Sequence, residues 1–436
     1  MPSKLSAVRL RGWVAPDALF HARERHADVV FFLDAGTEAS AGWSYLGVGE
    51  LGDLDAALSV TVTHASQPWP AGPFAGGWVI WLGYDHAAAR AGAPTEQPTP
   101  RGVALNADNF LAFDHASRAV WAVAPETEAV TFAAAAQRRL DAAPMVPVVA
   151  RAEPHEVCER QSAPEYAAAI EACREAIRQG DAYQLCLTTR FTVPGNHDAA
   201  DVFSRLRAAT PSHHAAYIRA GETTLVSASP EQFLTVGAGR ISTKPIKGTR
   251  PRGATPEDDE RLAAELLASE KERAENVMIV DLMRNDLSRV CTPGSVRVDK
   301  LWHVESYRAV HQLVSTVSGE LAPGTTMAAV LDATFPAGSM TGAPKLSAMT
   351  ILHGLEREAR GVYSGCFGWI ARDGSADLAM VIRTVMVGPD EAYVGAGGGI
   401  TWGSIAADEV AEVAIKARAP LAALGARVGA EWERVR

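Results

Sequence analysis

The order of the apolar runs is the feature that most constrains this chain. Seven short stretches rich in β-branched or aromatic residues are closed by turn-forming residues, the pattern of strands. They are ADVVFFLDAG, GWVIWLGYD and RAVWAVAP, then GRISTKPI, SVRVDKLWHV, GVYSGCFGWIA and LAMVIRTVMV. Long helical stretches separate some of these runs and not others. A doubly wound parallel sheet needs strict strand-helix alternation, so its absence predicts an α+β fold. At 436 residues the chain exceeds one small core and calls for two or three domains or one large two-layer body. The stretch 133–156, AAAAQRRLDAAPMVPVVARAEPHE, loses periodicity and gathers alanine and three prolines. It predicts a boundary between an N-terminal region, 1–150, and a larger region, 155–425.

Composition excludes several classes of function. Hydrophobic residues at 47% and charged residues at 21% describe an ordered globular chain. A net charge of -10, with no extended Lys/Arg face interleaved with aromatics, argues against nucleic acid as a partner. The five cysteines are an odd number, far apart, with no CxxC pair and no histidine at metal spacing, so they read as buried thiols in a reducing compartment. No run approaches the ~18 apolar residues of a membrane span, and the opening MPSKLSAVRLRGW has no apolar core, so no membrane is expected and the location reads as cytoplasmic. Against the acidic balance, Lys244, Lys247, Arg250 and Arg252 cluster within nine positions of ISTKPIKGTRPRG, which reads as a proline- and glycine-punctuated loop. Such a cluster points to a small anion, and Lys247 is either a solvated side chain or a placed reagent.

Local signals place further candidates on helices. Thr255 as N-cap, Pro256 at the first helical position and Asp258 three residues after the cap start one helix. On the next, EKERAENVMIVDLMRNDL, Glu275 shares a face with Met278, Ile279 and Leu282, and a carboxylate among core residues needs a partner. The last helix, ADEVAEVAIKARAP, stacks Glu409, Glu412 and Lys416 on one face. That stripe admits two readings, a solvated ion pair between Glu412 and Lys416, or a magnesium site completed by Glu275. Gly397, Gly398 and Gly399 in VGAGGGITWG form either an anion-binding nest of amides or a plain turn. VGAGGGITWG lacks the GxGxxG spacing of a dinucleotide site and GSMTGAPK lacks the adjacent GK[ST] of a phosphate-binding loop, which argues against a nucleotide at either. SGCFGW around Cys366 departs from the GxCxG elbow of glutamine amidotransferases, because Ser364 leads it, no histidine follows and the segment reads as a strand. The chain therefore shows no machinery of its own for releasing ammonia.

Taken together, GDAYQLCLTTRF, SASPEQFL, PIKGTRPRG, KERAENVMIVDLMRNDL, VHQLVSTVSG, GSMTGAPK, VIRT, GAGGGI and EVAEVAIKA resemble the chorismate-utilising enzymes. Among these the similarity is greatest to the large subunits, component I, of aminodeoxychorismate synthases. WSYLG and GGWVIWLGYD look like the N-terminal region of the same family. The resemblance implies a large two-sheet α/β sandwich of the anthranilate synthase component I type, with chorismate in its C-terminal part. By the same resemblance Glu275 and Glu412, with Glu409 close by, match magnesium-binding carboxylates. Arg383, Lys416, Tyr363 and the amides of Gly397, Gly398 and Gly399 match groups that hold the substrate's other carboxylate. Glu231 matches the acid that protonates the departing hydroxyl, and Thr341 and His311 match pocket residues near the ring. Gln184 stands where water-adding relatives have lysine and ammonia-adding relatives have glutamine. Lys247 fills the middle of PIxGT, where anthranilate synthases have alanine and aminodeoxychorismate synthases have a lysine that acts as covalent nucleophile.

The implied reaction makes 4-amino-4-deoxychorismate, on the route to 4-aminobenzoate and folate. Its ammonia would come from a glutamine amidotransferase subunit, and its cofactor would be Mg2+. A free lysine has a pKa of about 10.4, so near pH 7 only about one in a few thousand is neutral and nucleophilic. Lys244, Arg250 and Arg252 would lower that value, whereas substrate carboxylates and metal ligands would raise it. Cys186 stands where asparagine is frequent in YQVNL. FLDAG replaces the LLES type of segment that forms a tryptophan site in relatives, so the resemblance carries no tryptophan site over. Two other readings stay open, an anthranilate or isochorismate synthase on the same fold and a non-catalytic anion-binding subunit.

Overall fold

Strand pairing brings the two ends of the chain into the same sheets. The computed structural model of the chain describes residues 4–37, 39–64, 69–95, 101–142, 145–307 and 310–433. Two sheets, of twelve and ten strands, account for its strands, and every pairing is antiparallel. The first sheet runs from Leu5–Arg9 through Val29–Asp34, His214–Ala220, Thr384–Val387 and Glu391–Ile400 to Gln184–Pro194 and Gly342–Ala343. The second runs from Ile246–Pro251 and Val310–Glu320 through Ala376–Met380, Cys366–Ala371 and Gly77–Leu82 to Glu50–Leu51. Phe31, Tyr45, Phe74, Trp81, Phe110 and Phe367 pack the sheets face to face. The expected α+β, two-sheet sandwich is therefore the fold.

Helices cover the outer faces. Ala163–Gln179, Ala199–Ala209 and Ala406–Ala423 lie on the first sheet and bury Tyr166, Leu206, Val410 and Val413. Glu270–Ser288 and Met327–Thr334 lie against the second, where Ile279, Met283, Val330 and Phe335 meet Ile241. The predicted cap at Thr255 is present, its side chain accepting from the Asp258 amide at the start of Pro256–Ala268. Ser269 ends that helix and caps the next, Glu270–Ser288, so a single residue joins them.

The seven strand runs all contain strands, but three local expectations change. LAMVIRTVMV is two strands in different sheets, Ala376–Met380 and Thr384–Val387, and the chain crosses at 381–383, where Arg383 takes φ +52°. The expected loop PIKGT lies in an edge strand, Ile246–Pro251, whose register slips between Ile246 and Thr249. An edge strand tolerates proline, and Gly248 supplies the φ of +83° that the bulge uses. The glycine run is neither turn nor nest; it lies inside the strand Glu391–Ile400.

Residues 145–157 near the expected boundary have no regular structure, and Ala143 and Pro144 lie outside the described residues. Pairing crosses this boundary in both sheets: Val29–Asp34 with His214–Ala220, and Gly77–Leu82 with Cys366–Ala371. The division into 1–150 and 155–425 thus follows the chain and not the packing.

The strand Glu391–Ile400 also shows why glycine is needed within it. A Cβ at Gly395 would lie 2.1 Å from Cγ of the buried Tyr363 ring. Gly395→Ala should therefore cost about 1–3 kcal/mol in urea unfolding through overpacking. A variant as stable as the parent would show that ring and strand separate freely.

Candidate active site

The bulge in Ile246–Pro251 turns Lys247 toward the glycine strand. Its Nζ lies 3.8 Å from Glu275 Oε2 on the helix Glu270–Ser288. A Cβ on Gly399 would sit 3.0 Å from that Nζ and 3.1 Å from Gln184 Nε2, so both side chains rest on bare backbone. Gln184 is fully buried, and neither its amide oxygen nor its nitrogen has a hydrogen-bond partner. Leaving such a group unpaired costs about 1–3 kcal/mol, so the Gln184 amide is free to bond a polar group brought to it.

Four carboxylates surround this point. Burial pushes the Glu231 carboxyl above its ordinary range; Ser339 Oγ, donating at 3.1 Å, and the charges of Lys247 and Lys416 offset part of that shift. Glu275 is also pushed up, first by burial, against the pull of Lys247 and Lys271 and with the repulsion of Glu272 and Glu412. Glu409 shifts the same way by burial, although Ser404 Oγ donates to it at 2.6 Å. Burial opposes ionisation of Glu412 as well, but Lys416 at 2.7 Å, with Lys247 and Lys271, holds that carboxyl below the usual range.

The Glu412–Lys416 pair is therefore present, and Lys416 Nζ also donates to the Gly397 carbonyl at 2.9 Å. Of the two readings of the helical stripe, the ion pair is the one the structure shows. Among the described residues no group of three or more His, Cys, Asp or Glu is assembled to hold a metal ion. The oxygen donors of Glu275, Glu409 and Glu412 nonetheless suit magnesium in kind. That ion takes one or two carboxylates and completes its shell with substrate and water.

The remaining candidates divide. Tyr363 packs on Gly395, and Arg383 lies within electrostatic reach of Tyr363 and Glu412; burial pushes the Arg383 guanidinium down from its ordinary value, and those two neighbours oppose it. Thr341 is buried and its hydroxyl donates into its own turn, to the Ala337 carbonyl at 3.1 Å. The ring nitrogens of His311 are engaged by Ser306 Oγ and Asp259 Oδ1, each at 2.8 Å, which ties the ring to the first turn of Pro256–Ala268. The cation cluster also resolves into separate pairs. Lys244 meets Glu305 at 3.2 Å, Arg250 meets Glu265 at 3.0 Å, and Arg252 meets Asp259 at 2.6 Å. Only Lys247 of the four reaches the glycine strand.

Sequence reasoning missed Ser339, Ser404 and Lys271, although the first lies within GSMTGAPK. A separate cavity of ≈ 450 Å³, lined by Leu82, Arg90, Arg101, Arg289 and Phe335 among others, contains none of the residues that the resemblance places. No helix of the described residues is long and apolar enough to cross a membrane.

A family model of chorismate binding enzymes matches residues 49–422. The chain belongs to that family. An aminodeoxychorismate synthase of Streptomyces pristinaespiralis is 44% identical over 363 residues, which are 80% of this chain and 50% of that protein. Anthranilate synthase component 1 of Thermus thermophilus is 40% identical over 365 residues, 81% of this chain and 78% of the relative. The crystal structure of anthranilate synthase component I from Streptococcus pneumoniae superposes with a TM-score of 0.73 at 30% identity, covering 96% of this chain and 92% of the other. The chain spans about half the length of the Streptomyces aminodeoxychorismate synthases it matches.

The raised Glu231 carboxyl has a consequence for stability. The folded protein holds this proton more tightly than the unfolded chain, so stability is lost as pH rises from the ordinary carboxyl range through the raised value. Glu231→Gln removes that loss. The variant should resist urea better than the parent near pH 8, with the gap closing toward about pH 4; an equal or weaker variant near pH 8 would contradict the burial of this charge.

Proposed function

We propose that this chain aminates chorismate at C4, yielding 4-amino-4-deoxychorismate for 4-aminobenzoate and folate synthesis in the cytoplasm. Relatives of two names are similar to comparable degrees, so overall identity does not choose the reaction. The observation that carries the choice is the Lys247 amine, seated against Gly399 beside the unpaired Gln184 amide and within 3.8 Å of Glu275. Alanine there, as in anthranilate synthases, would leave no nucleophile.

Arg383, Lys416, Tyr363 and the backbone of Gly397, Gly398 and Gly399 orient the substrate through its side-chain carboxylate. Magnesium, held by Glu275 and Glu412 with Glu409 close by, supplies positive charge at the ring carboxylate when bound. The Lys247 amine forms a bond to C2, the ring double bonds shift, and the C4–oxygen bond breaks. Glu231, which burial pushes toward its protonated form, gives a proton to the departing hydroxyl, which leaves as water. Ammonia, accepted by the free amide of Gln184, then bonds to C4. The double bonds shift back, the C2–nitrogen bond breaks, and Lys247 is released. Two easier displacements replace one difficult displacement. Thr341 and His311 shape the surroundings of the ring, and a glutamine amidotransferase partner supplies the ammonia.

Incubating the purified chain with chorismate, magnesium and an ammonium salt, with products identified by mass, tests this reading. Anthranilate or isochorismate as product would reject it, and no turnover would favour a non-catalytic anion-binding subunit. Lys247→Ala should lower amination on the order of 10³-fold or more while chorismate binding persists. Full activity of that variant would remove the lysine from the mechanism.

A further inference from the structure

The backbone around Lys247 lacks the usual support of a sheet. Ile246–Pro251 is an edge strand whose one ladder partner is Val310–Glu320, and the slip between Ile246 and Thr249 leaves Lys247 and Gly248 without pairing in that ladder. A group that must sit against Gly399 therefore needs to be held from another direction.

A buried polar relay provides that hold. Asn276, fully buried on the helix Glu270–Ser288 and next to Glu275, donates from Nδ2 to the Pro245 carbonyl at 3.3 Å. Its Oδ1 accepts from Ser315 Oγ at 2.6 Å, and Ser315 Oγ in turn accepts from the Trp302 amide at 3.1 Å. The Ser315 amide also donates to the Pro245 carbonyl, at 3.2 Å. The orientation of the Asn276 amide is forced. Pro245 offers only an acceptor, so it must face the NH2, and the Ser315 hydroxyl, already accepting from Trp302, has its proton free for Oδ1. Trp302 sits at a bulge with φ +51°, and Arg273 of the same helix lies 3.9 Å over its ring. At Gly248 a Cβ would lie 2.8 Å from the Glu272 carboxylate and 2.9 Å from Leu266 Cδ1, so a side chain there would displace both.

We propose that Asn276 is a positioning residue: with Ser315 it ties the helix bearing Glu275 to Pro245 and so sets the Lys247 amine at the glycine strand. The claim rests on the reading of Lys247 as the reacting amine, but its geometry can be tested separately. The variants are Asn276→Asp, which keeps the shape and the bond to Ser315 but opposes the Pro245 carbonyl with an oxygen, Ser315→Ala, and Ser315→Thr, which restores a hydroxyl.

Hydrogen exchange followed by mass spectrometry reads the segment 244–251 directly. In Asn276→Asp and Ser315→Ala, exchange there should rise by about tenfold while the rest of the molecule is unchanged. In the amination assay kcat should fall by about 10- to 100-fold with the KM for chorismate within about twofold, and Ser315→Thr should match the parent. Unchanged exchange in 244–251, a rise spread over the whole molecule, or faster local exchange with kcat intact would each overturn the proposal. If the parent forms no aminated product, the functional reading fails, and the exchange result alone still decides whether Asn276 holds this segment.

Discussion

The site depends on a strand that has given up its side chains. A Cβ would collide with the Tyr363 ring at Gly395 and with the Leu187 carbonyl at Gly397, and would press on Glu409 Oε2 at Gly398 and on Lys247 Nζ and Gln184 Nε2 at Gly399. Each glycine in a strand interior costs about 0.5–1 kcal/mol relative to alanine, so such a run is unfavourable on its own. Neighbouring structure offsets the cost. Glu391–Ile400 pairs with Gln184–Pro194 along its whole length, from Leu185 opposite Ile400 to Pro194 opposite Glu391. The helix Ala406–Ala423 covers it, with Val410, Val413 and Ala417 buried. A rigid backbone surface results, against which side chains from both sheets can be set.

What gathers on that surface is mostly acid, in a chain already at -10. Glu231, Glu275, Glu409 and Glu412 face Lys247, Lys416 and Lys271, and burial pushes the first three carboxyls toward keeping their protons. Like charges at close quarters, three of them on largely covered side chains, do not all ionise without compensation. Lys247, Lys271 and Lys416 supply that compensation in part.

Much of this was legible locally. The Thr255 cap, the helical stacking of Glu409, Glu412 and Lys416, and the strand runs follow from short-range chemistry, and each appears in the fold. The failures are of another kind. Nothing within LAMVIRTVMV marks the crossing between sheets, because both halves are apolar and buried. Proline and glycine in PIKGT read as a loop, although a bulged edge strand accepts both. The cation cluster looked like one anion patch because the carboxylates that neutralise Lys244 and Arg250 arrive from residues 305 and 265. Ser339 reaches Glu231 across 108 positions, and a single sequence gives no sign of such a contact.

The bulge also frees one position of the edge strand from the ladder's register. The family match spans residues 49–422, hence both sheets, and relatives with two different names share similar identity with the chain. Fold and overall similarity therefore specify the family and leave the chemistry to individual side chains. Position 247 is suited to make that difference. It lies where the ladder between Ile246–Pro251 and Val310–Glu320 slips, so its side chain is released from the alternation that would fix it to one face of the sheet. A residue exempt from register can change its chemistry without disturbing the strand, while the backbone beneath it is held by the fold. In this chain the exemption is used to bring an amine to bare backbone at Gly399.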